Sequence, residues 1–154
     1  MDIKNVAPFL DAVGEVMPQL GFQAVKRGRI SAMNTPKIVS LGVMVVIGLT
    51  NQLRGNIAYN MTEDAAKRIA SQMMMGMPVP TFDAMAESAI AELGNMLAAN
   101  AAMIFERQGQ LIDISPPTLI AGDSSASVSS SPWRLSIEML IDEIPVQVSI
   151  ALAS

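Results

Sequence analysis

The sequence predicts an α+β fold, in which an antiparallel sheet carries long helices packed on one of its faces. Three observations support this prediction. The chain has 154 residues, just over half of them apolar, so a single domain over residues 1–154 can bury a sizeable core. The patterns follow the order helix, strands, helix, helix, strands, which suggests two halves, residues 1–78 and 79–154. Most connections between the predicted strands are too short for helical crossovers, which favours antiparallel pairing.

The chain opens with a predicted helix over residues 2–20, where apolar residues recur at helical spacing. Asp2 is the candidate N-cap of this helix, and Gly21 is its expected stop. Pro8 falls within or near the first turns, and Pro18 is close enough to the end to help terminate the helix. Both prolines are therefore compatible with one helix.

The next segment is β-rich and predicts two paired antiparallel strands, residues 37–49 and 53–59. The polar residues 50–52 between them form a break of hairpin length. Residues 62–64 then supply an N-cap and first-turn acids for a helix over residues 65–75. The first half is thus predicted as helix, hairpin and helix.

The second half starts with the longest uninterrupted helical pattern, residues 84–106, which residues 81–83 open and Gly109 follows. Beyond this helix, two consecutive prolines and the serine-rich residues 124–131 indicate loops, the second of them a mobile hairpin tip. The β-rich runs of this half predict four strands, at residues 111–114, 118–121, 133–141 and 146–152.

The composition excludes several kinds of site. The chain has no cysteine and no histidine, which rules out disulfides, thiolate nucleophiles, imidazole bases and nearly every zinc or haem site. The net charge is −4, and the ten Lys and Arg residues are scattered apart from a run at residues 26–29, so nucleic acid is not expected as a partner. The chain has thirteen methionines. Those between residues 73 and 77 could form a soft binding surface or a metal-thioether cluster, but core and loop packing is the preferred interpretation.

No membrane segment is expected. The longest apolar stretch, residues 41–49, is far short of the roughly twenty residues that a membrane helix needs, and its β-branched content favours a buried strand. The first four residues open a mixed amphipathic segment rather than a signal peptide. These features predict a protein of the cytoplasm.

Polar side chains are few on the longest predicted helix, and several of them align along one face of it. At helical spacing, Ser88, Glu92, Asn95 and Ala99 lie within a stripe roughly 60° wide. This pattern is also typical of the wet side of any amphipathic helix, so the spacing alone leaves a purely structural interpretation open. The surrounding alanines and methionines, however, leave a carboxylate and an amide on a smooth surface of low charge that could dock a partner.

Two motifs resemble the CheC, CheX and FliY family of chemotaxis phosphatases. Ser88-x-x-x-Glu92-x-x-Asn95 matches the [Asp/Ser]-x3-Glu-x2-Asn signature of that family, and the wider string SAIAELGNM is very similar to its CheX version. Residues 113–118, DISPPT, resemble the family's D-I-T-P-P-T segment. Together with the order of elements, the resemblance covers residues 2 to 152. It implies a CheC-like fold with a pseudo-twofold internal repeat.

The chain departs from the family pattern at two places. The family signature continues x3-Gly after its asparagine, and this chain has Ala99 there. The added methyl group is expected to weaken or alter docking. A second copy of the motif on the first helix reads Asp11-x-x-x-Glu15-x-x-Pro18, and proline offers no amide to hold a water. The resemblance therefore implies one working site, as in CheX, rather than two, as in CheC.

By this resemblance, the chain is expected to hydrolyse the phosphoaspartate of a CheY-like response regulator. Asn95 would hold the attacking water in line with the phosphorus, and Glu92 would pair with a lysine of the receiver domain. Ser88 would belong to the motif without being a catalyst. The chain would need no cofactor of its own, because the receiver domain carries Mg²⁺. A homodimer is also implied.

Two other interpretations stay open. A non-catalytic adaptor would bind receiver domains without hydrolysis, and Ala99 favours this alternative. A structural self-assembly domain would join two subunits through the edges of their sheets. Because such a dimer is compatible with catalysis, observing one would not separate the interpretations.

Overall fold

The computed structural model describes residues 3–34, 37–122, 125–127 and 133–153 of the chain. A short 3-10 helix, Ile3–Asn5, precedes three α-helices, which are α1 (Ala7–Gln19), α2 (Glu63–Met73) and α3 (Ala84–Arg107). The strands are β1 (Val25–Asn34), β2 (Lys37–Val39), β3 (Gly42–Asn51), β4 (Gly55–Thr62), β5 (Ile112–Ile114), β6 (Thr118–Ala121), β7 (Ser125–Ser127), β8 (Trp133–Ile141) and β9 (Ile144–Leu152).

Seven strands form one antiparallel sheet in the order β1-β8-β9-β4-β3-β5, and β6 also pairs with β3. The order is symmetric about the β9–β4 pair. Each strand of that pair belongs to a hairpin from one half of the chain, β8–β9 or β3–β4, and beyond each hairpin lies a strand from the other half. The predicted α+β fold with an antiparallel sheet is confirmed. The boundary between halves near residue 78 stays a prediction.

The three helices pack on one face of the sheet, as predicted. Side chains from α1, α2, α3 and alternate positions of the strands form one continuous buried cluster, to which β3 contributes Val43, Val45 and Ile47. The rings of Phe9 in α1 and Phe105 in α3 meet edge to face, with their centroids 5.3 Å apart. The two longest helices are therefore fixed against each other as well as against the sheet.

The starts of α2 and α3 agree with the helix starts predicted from sequence, and each has a side-chain cap. The backbone N–H of Ala65 donates to the Thr62 hydroxyl across 3.1 Å, and that of Ala86 donates to the Asp83 carboxylate across 3.0 Å. Helix α1 begins later than the helix predicted at the start of the chain. The cap predicted for it, Asp2, lies outside the described residues.

The sequence prediction missed β1. This strand contains the basic run at residues 26–29, and nearly all of its side chains are exposed, so the alternation that marks a half-buried strand is absent. It pairs with β8 along its length, with a register shift between Arg27 and Ile30. Pairing with a strand distant in sequence, rather than a pattern of side chains, makes this segment a strand.

The first predicted strand is in fact two strands, β2 and β3. Asn60 holds the break between them, because its side chain accepts a hydrogen bond from the N–H of Leu41 and donates one to the carbonyl of Val39, both across 2.9 Å. Ile38 of β2 then packs against Met44 on the face of the sheet opposite the helices. Within the loop predicted at residues 124–131, β7 pairs with β2, and the rest of that loop lies outside the described residues.

Helix α3 is long and apolar enough, by length and composition, to cross a membrane. Nine of its residues are nevertheless buried within the protein core, and its outer face carries Ser88 and Glu92. The core helix of a soluble domain passes the same test of length and composition. The apolar character of α3 is thus accounted for by its packing.

Candidate functional site

Ser88, Glu92, Asn95 and Ala99 together form what we term the motif face of α3. The side chains of Ser88 and Glu92 are exposed, and those of Asn95 and Ala99 are half-buried. Within the described part of the chain, no residue forms a hydrogen bond or ion pair with the side chain of Ser88, Glu92 or Asn95. A carboxylate and a carboxamide, one helical turn apart, are therefore free to meet another molecule.

The Ser88 hydroxyl also lacks the bond to the carbonyl one turn earlier that helix serines often make, as far as the described residues show. The structure therefore does not support a local role for this hydroxyl in the helix backbone. Ser88 is the first residue of the motif face along α3. Because it is exposed, its hydroxyl can contact a partner molecule that binds Glu92.

Exposed methionines flank the motif face. Met85 and Met103, towards the two ends of α3, are 61% and 50% exposed. Met74 of the α2 C-terminus and Met85 line a shallow, mainly apolar hollow that reaches Ser88. The interpretation of the methionine-rich segment as core and loop packing holds for Met74, which is partly buried against the core. It is wrong for Met75, which is 96% exposed.

The chemistry available on this face is limited. Among the described residues, no group of three or more His, Cys, Asp or Glu side chains lies together. Glu92 supplies a single carboxylate to the motif face, so a Mg²⁺ ion there would take most of its roughly six oxygen ligands from water or from another molecule. The face is suited to pairing with one cation and to orienting one water through Asn95. That Mg²⁺ comes with the partner stays a prediction.

The second copy of the motif, on α1, is differently placed. Asp11, Glu15 and Pro18 are all exposed, so they share an outward face. The carboxylate of Asp11 accepts a hydrogen bond from Nη2 of Arg27 across 3.2 Å, within an exposed ion pair. Pro18 lies inside the helix and provides no amide group. On α1, therefore, Asp11 at the first motif position is already paired with Arg27, and Pro18 at the last position has no carboxamide.

Residues 113–118, the second stretch that resembles the family, secure the sheet edge. The hydroxyl of Ser115 accepts a hydrogen bond from the N–H of Gly48 across 2.7 Å and donates one to the carbonyl of Pro116 across 3.1 Å. The Asp113 carboxylate accepts a long hydrogen bond, 3.4 Å, from the side chain of Asn51. These bonds join β5 and the following turn to β3. The segment therefore has a structural role beneath the C-terminal end of α3.

Sequence analysis missed Gly94, which lies between Glu92 and Asn95 in the chain and on the buried side of α3. A Cβ built on Gly94 would lie 2.6 Å from Cγ1 of Val45 in β3. The available signal was an isolated glycine inside a strong helical pattern, where glycine lowers helix stability relative to alanine. Helix α3 is therefore seated closely on the sheet directly beneath the motif face.

Comparison with known proteins gives a consistent result. The family model described as "Chemotaxis phosphatase CheX" matches residues 43–139, which include the whole motif face. CheY-P phosphatase CheX of Thermotoga maritima is 34% identical over 122 residues, which cover 79% of this chain and 78% of that protein. A crystal structure of the chemotaxis protein CheX from Desulfovibrio desulfuricans superimposes with a TM-score of 0.85 at 20% identity, covering 97% of this chain and 99% of that one. The CheX-CheY-BeF3-Mg complex from Borrelia burgdorferi matches with a TM-score of 0.76 at 25% identity, covering 97% of both chains.

Proposed function

The chain belongs to the CheX family of chemotaxis phosphatases, and we propose that it removes the phosphoryl group from the phosphoaspartate of a CheY-type response regulator. The observation that carries this proposal is the motif face, where Glu92 and Asn95 are accessible and have no partner among the described residues. The name of the Thermotoga relative, a phosphatase of CheY-P, supports the same reaction.

Little chemistry is required of the chain itself. A phosphoaspartate is an acyl phosphate, and its hydrolysis needs a water in line with the bond between phosphorus and the aspartate oxygen. The water oxygen bonds to phosphorus, the bond to the carboxylate breaks, and the products are aspartate and inorganic phosphate. A phosphatase that positions the water therefore supplies the main missing component.

Asn95 is assigned the positioning of this water. Its carboxamide has an acceptor oxygen and two N–H donors, so it can take a hydrogen bond from the water while donating to a second group. The half-buried position of Asn95 restricts its rotamers, which favours a fixed orientation of the amide. Correct placement of a reacting group contributes about 10² or more to a rate.

Glu92 is assigned the docking contact. Its exposed carboxylate, one helical turn before Asn95, can pair with the lysine of the receiver domain and so set the register in which Asn95 enters the receiver's site. Ser88 and Ala99 complete the contact surface on either side. The methyl group of Ala99 limits how closely a partner's backbone can approach that end of the face.

Mg²⁺ is assigned to the partner rather than to this chain. The motif face offers one carboxylate, so most of the oxygen ligands of a Mg²⁺ ion would come from water, from the phosphoryl group and from the receiver domain. The Borrelia neighbour, a CheX bound to CheY with BeF3 and Mg²⁺, supports a reaction in which both proteins contribute. The residues of this chain then act only on the water and on the docking geometry.

A cytoplasmic location and a homodimer complete the proposal. A soluble receiver domain is met in the cytoplasm, which supports the location. Strand β1 is the outermost strand at one end of the sheet, so its outer edge could pair with a second copy. The exposed basic residues of β1 and its register shift oppose simple edge-to-edge pairing. The homodimer is therefore a prediction, and measurement of the molar mass in solution tests it.

A second candidate function is that of an adaptor that binds receiver domains without hydrolysis, which Ala99 favours. Purified protein mixed with a panel of phosphorylated receiver domains and Mg²⁺ separates the two. Phosphate release faster than the receiver's own rate is expected for the phosphatase. Binding that leaves the lifetime of every phosphoryl group unchanged would establish the adaptor and overturn the proposed hydrolysis.

A further inference from the structure

Gly94 lies at an unusually close approach of α3 to the sheet. A Cβ at this position would lie 2.6 Å from Cγ1 and 3.2 Å from Cβ of Val45, and 3.7 Å from Cδ1 of Ile47. Ordinary contacts between carbon atoms are about 3.5 to 4.0 Å long. The helix is therefore seated roughly 1 Å deeper than a side chain at this position would permit. Since the backbone of Gly94 is helical, packing and not backbone geometry explains the glycine.

The strand side of this contact has little freedom to move. Val45 lies in the middle of β3, paired with Tyr59 of β4 on one side and Leu119 of β6 on the other. Its side chain is fully buried and β-branched, so its rotamers are restricted. An added methyl group at Gly94 would therefore displace the helix rather than the sheet.

Gly14 of α1 shows that a glycine in a helix of this protein need not be required by packing. It also sits mid-helix, but a Cβ built on it meets nothing within 4 Å. Glycine is one of the weakest helix formers, so replacing it by alanine at such a site should be harmless or favourable. Gly14→Ala is thus a matched control for Gly94→Ala.

We propose that Gly94 is a positioning residue for the reaction, a role that rests on the proposed function. Its missing side chain sets the depth of the helical turn that carries both Glu92 and Asn95. Ser88 and Ala99, at the ends of the motif face, lie more than one turn from Gly94, near Ala86 and Ala101, which are buried in the core and keep those parts of α3 in place. A methyl group at position 94 would push Asn95 outward relative to those ends.

Such a displacement affects the two motif residues differently. A misplacement of about 1 Å in the reacting geometry can cost about 10²-fold in rate. The attraction between Glu92 and a lysine weakens only gradually with distance. Gly94→Ala should therefore lower kcat for stimulated dephosphorylation roughly 30- to 100-fold and change KM by less than about 3-fold.

Rescue separates positioning from a general loss of structure. Val45→Ala removes the nearest atom of the clash, so the Gly94→Ala/Val45→Ala protein should recover at least about tenfold of the lost kcat. Val45→Ala alone and Gly14→Ala should stay within about 3-fold of the wild-type kcat. Val45→Ile adds a methyl group on the strand side of the same contact and leaves the helix sequence unchanged. It should lower kcat by roughly 3- to 10-fold.

The test measures kcat and KM with a phosphorylated receiver and Mg²⁺, together with the melting temperature of each variant. If Gly94→Ala does not fold, the kcat of Val45→Ile is the test. The expected loss supports the role of Gly94, and an unchanged kcat overturns it. An active wild type with unchanged kcat in folded Gly94→Ala, or a loss that Val45→Ala does not relieve, would overturn the role of Gly94 and leave the proposed function standing. A wild-type protein that accelerates no receiver would overturn the proposed function and this role with it.

Discussion

The guanidinium of Arg134 in β8 donates a hydrogen bond to the side-chain carbonyl of Asn56 in β4 across 2.6 Å, and both residues are buried. Strand β9 lies between these two strands, and Arg134 also donates to the hydroxyl and the carbonyl of Ser149 in β9, across 2.9 and 3.0 Å. One side chain thus links three neighbouring strands on the face opposite the helices. Burial lowers the pKa of Arg134 to about 10, and the described residues offer it neutral acceptors.

Arg134→Lys should therefore destabilise the protein. A lysine keeps the buried charge, but its compact ammonium cannot reach both Asn56 and Ser149 as the planar guanidinium does. The loss expected from broken charged hydrogen bonds is about 2 kcal/mol in the free energy of unfolding, measured by urea denaturation at pH 7. Arg54→Lys, at an exposed position, is the control and should change it by less than about 0.5 kcal/mol. Equal effects of the two changes would contradict the linking role of Arg134.

Tyr59 predicts a pH dependence of stability. Its hydroxyl is buried without a hydrogen-bond partner among the described residues, and burial raises the pKa of Tyr59 far above its usual value near 10. Above pH 10 the unfolded chain releases the tyrosine proton while the folded chain keeps it. The stability of the folded state is therefore retained below pH 10 and falls as the pH rises above it. The slope should approach about 1.4 kcal/mol per pH unit.

Tyr59→Phe should remove this part of the alkaline loss and leave stability at pH 7 unchanged or about 1 kcal/mol higher, since an unpaired hydroxyl is removed from the core. The measurements are urea denaturation at pH 7 and 10.5 and the absorbance of tyrosinate. Because Tyr59 is the sole tyrosine of the chain, that absorbance reports it alone. Ionisation in the folded protein near pH 10 would show that Tyr59 is not shielded from water.

Asn95→Ala should abolish most of the stimulated dephosphorylation. Without the carboxamide the attacking water is not held, and a loss of about 10² or more in kcat is expected, with little change in KM. Asn100→Ala, on the same helix but off the motif face, is the control and should retain the wild-type rate. Release of phosphate from a phosphorylated receiver measures both. A wild-type rate for Asn95→Ala would remove Asn95 from the mechanism.

Glu92→Ala should act mainly on complex formation. The loss in binding free energy is about 2–5 kcal/mol if the charge pair becomes buried at the interface and under about 1 kcal/mol if it stays hydrated. Titration calorimetry with a receiver held in its phosphorylated form distinguishes these cases. Glu106→Ala, an exposed glutamate farther along α3, is the matched control. If both variants bind like wild type while kcat falls only for Glu92→Ala, Glu92 acts in the chemistry and not in docking.

The helices and the motif face were predictable because their signals are local. The caps Thr62 and Asp83, the stop after α3 and the shared face of Glu92 and Asn95 depend on residues within a few positions of each other. The exposure of Glu92 agrees with the helical spacing, and its role as a docking residue stays a prediction. The departure at Ala99 and the proline in the α1 copy were also visible without coordinates.

The sequence by itself determined the fold class, the positions of α2 and α3, and the family, because helix periodicity and short motifs are written in consecutive residues. Only the tertiary structure decided that the exposed, basic β1 is a strand, that Asn60 divides β2 from β3, and that Gly94 meets Val45. Each of these depends on partners distant in the chain, whose contacts form only when the sheet and helices come together. The same holds for Arg134, whose place in the sequence shows no sign of the three strands that it links.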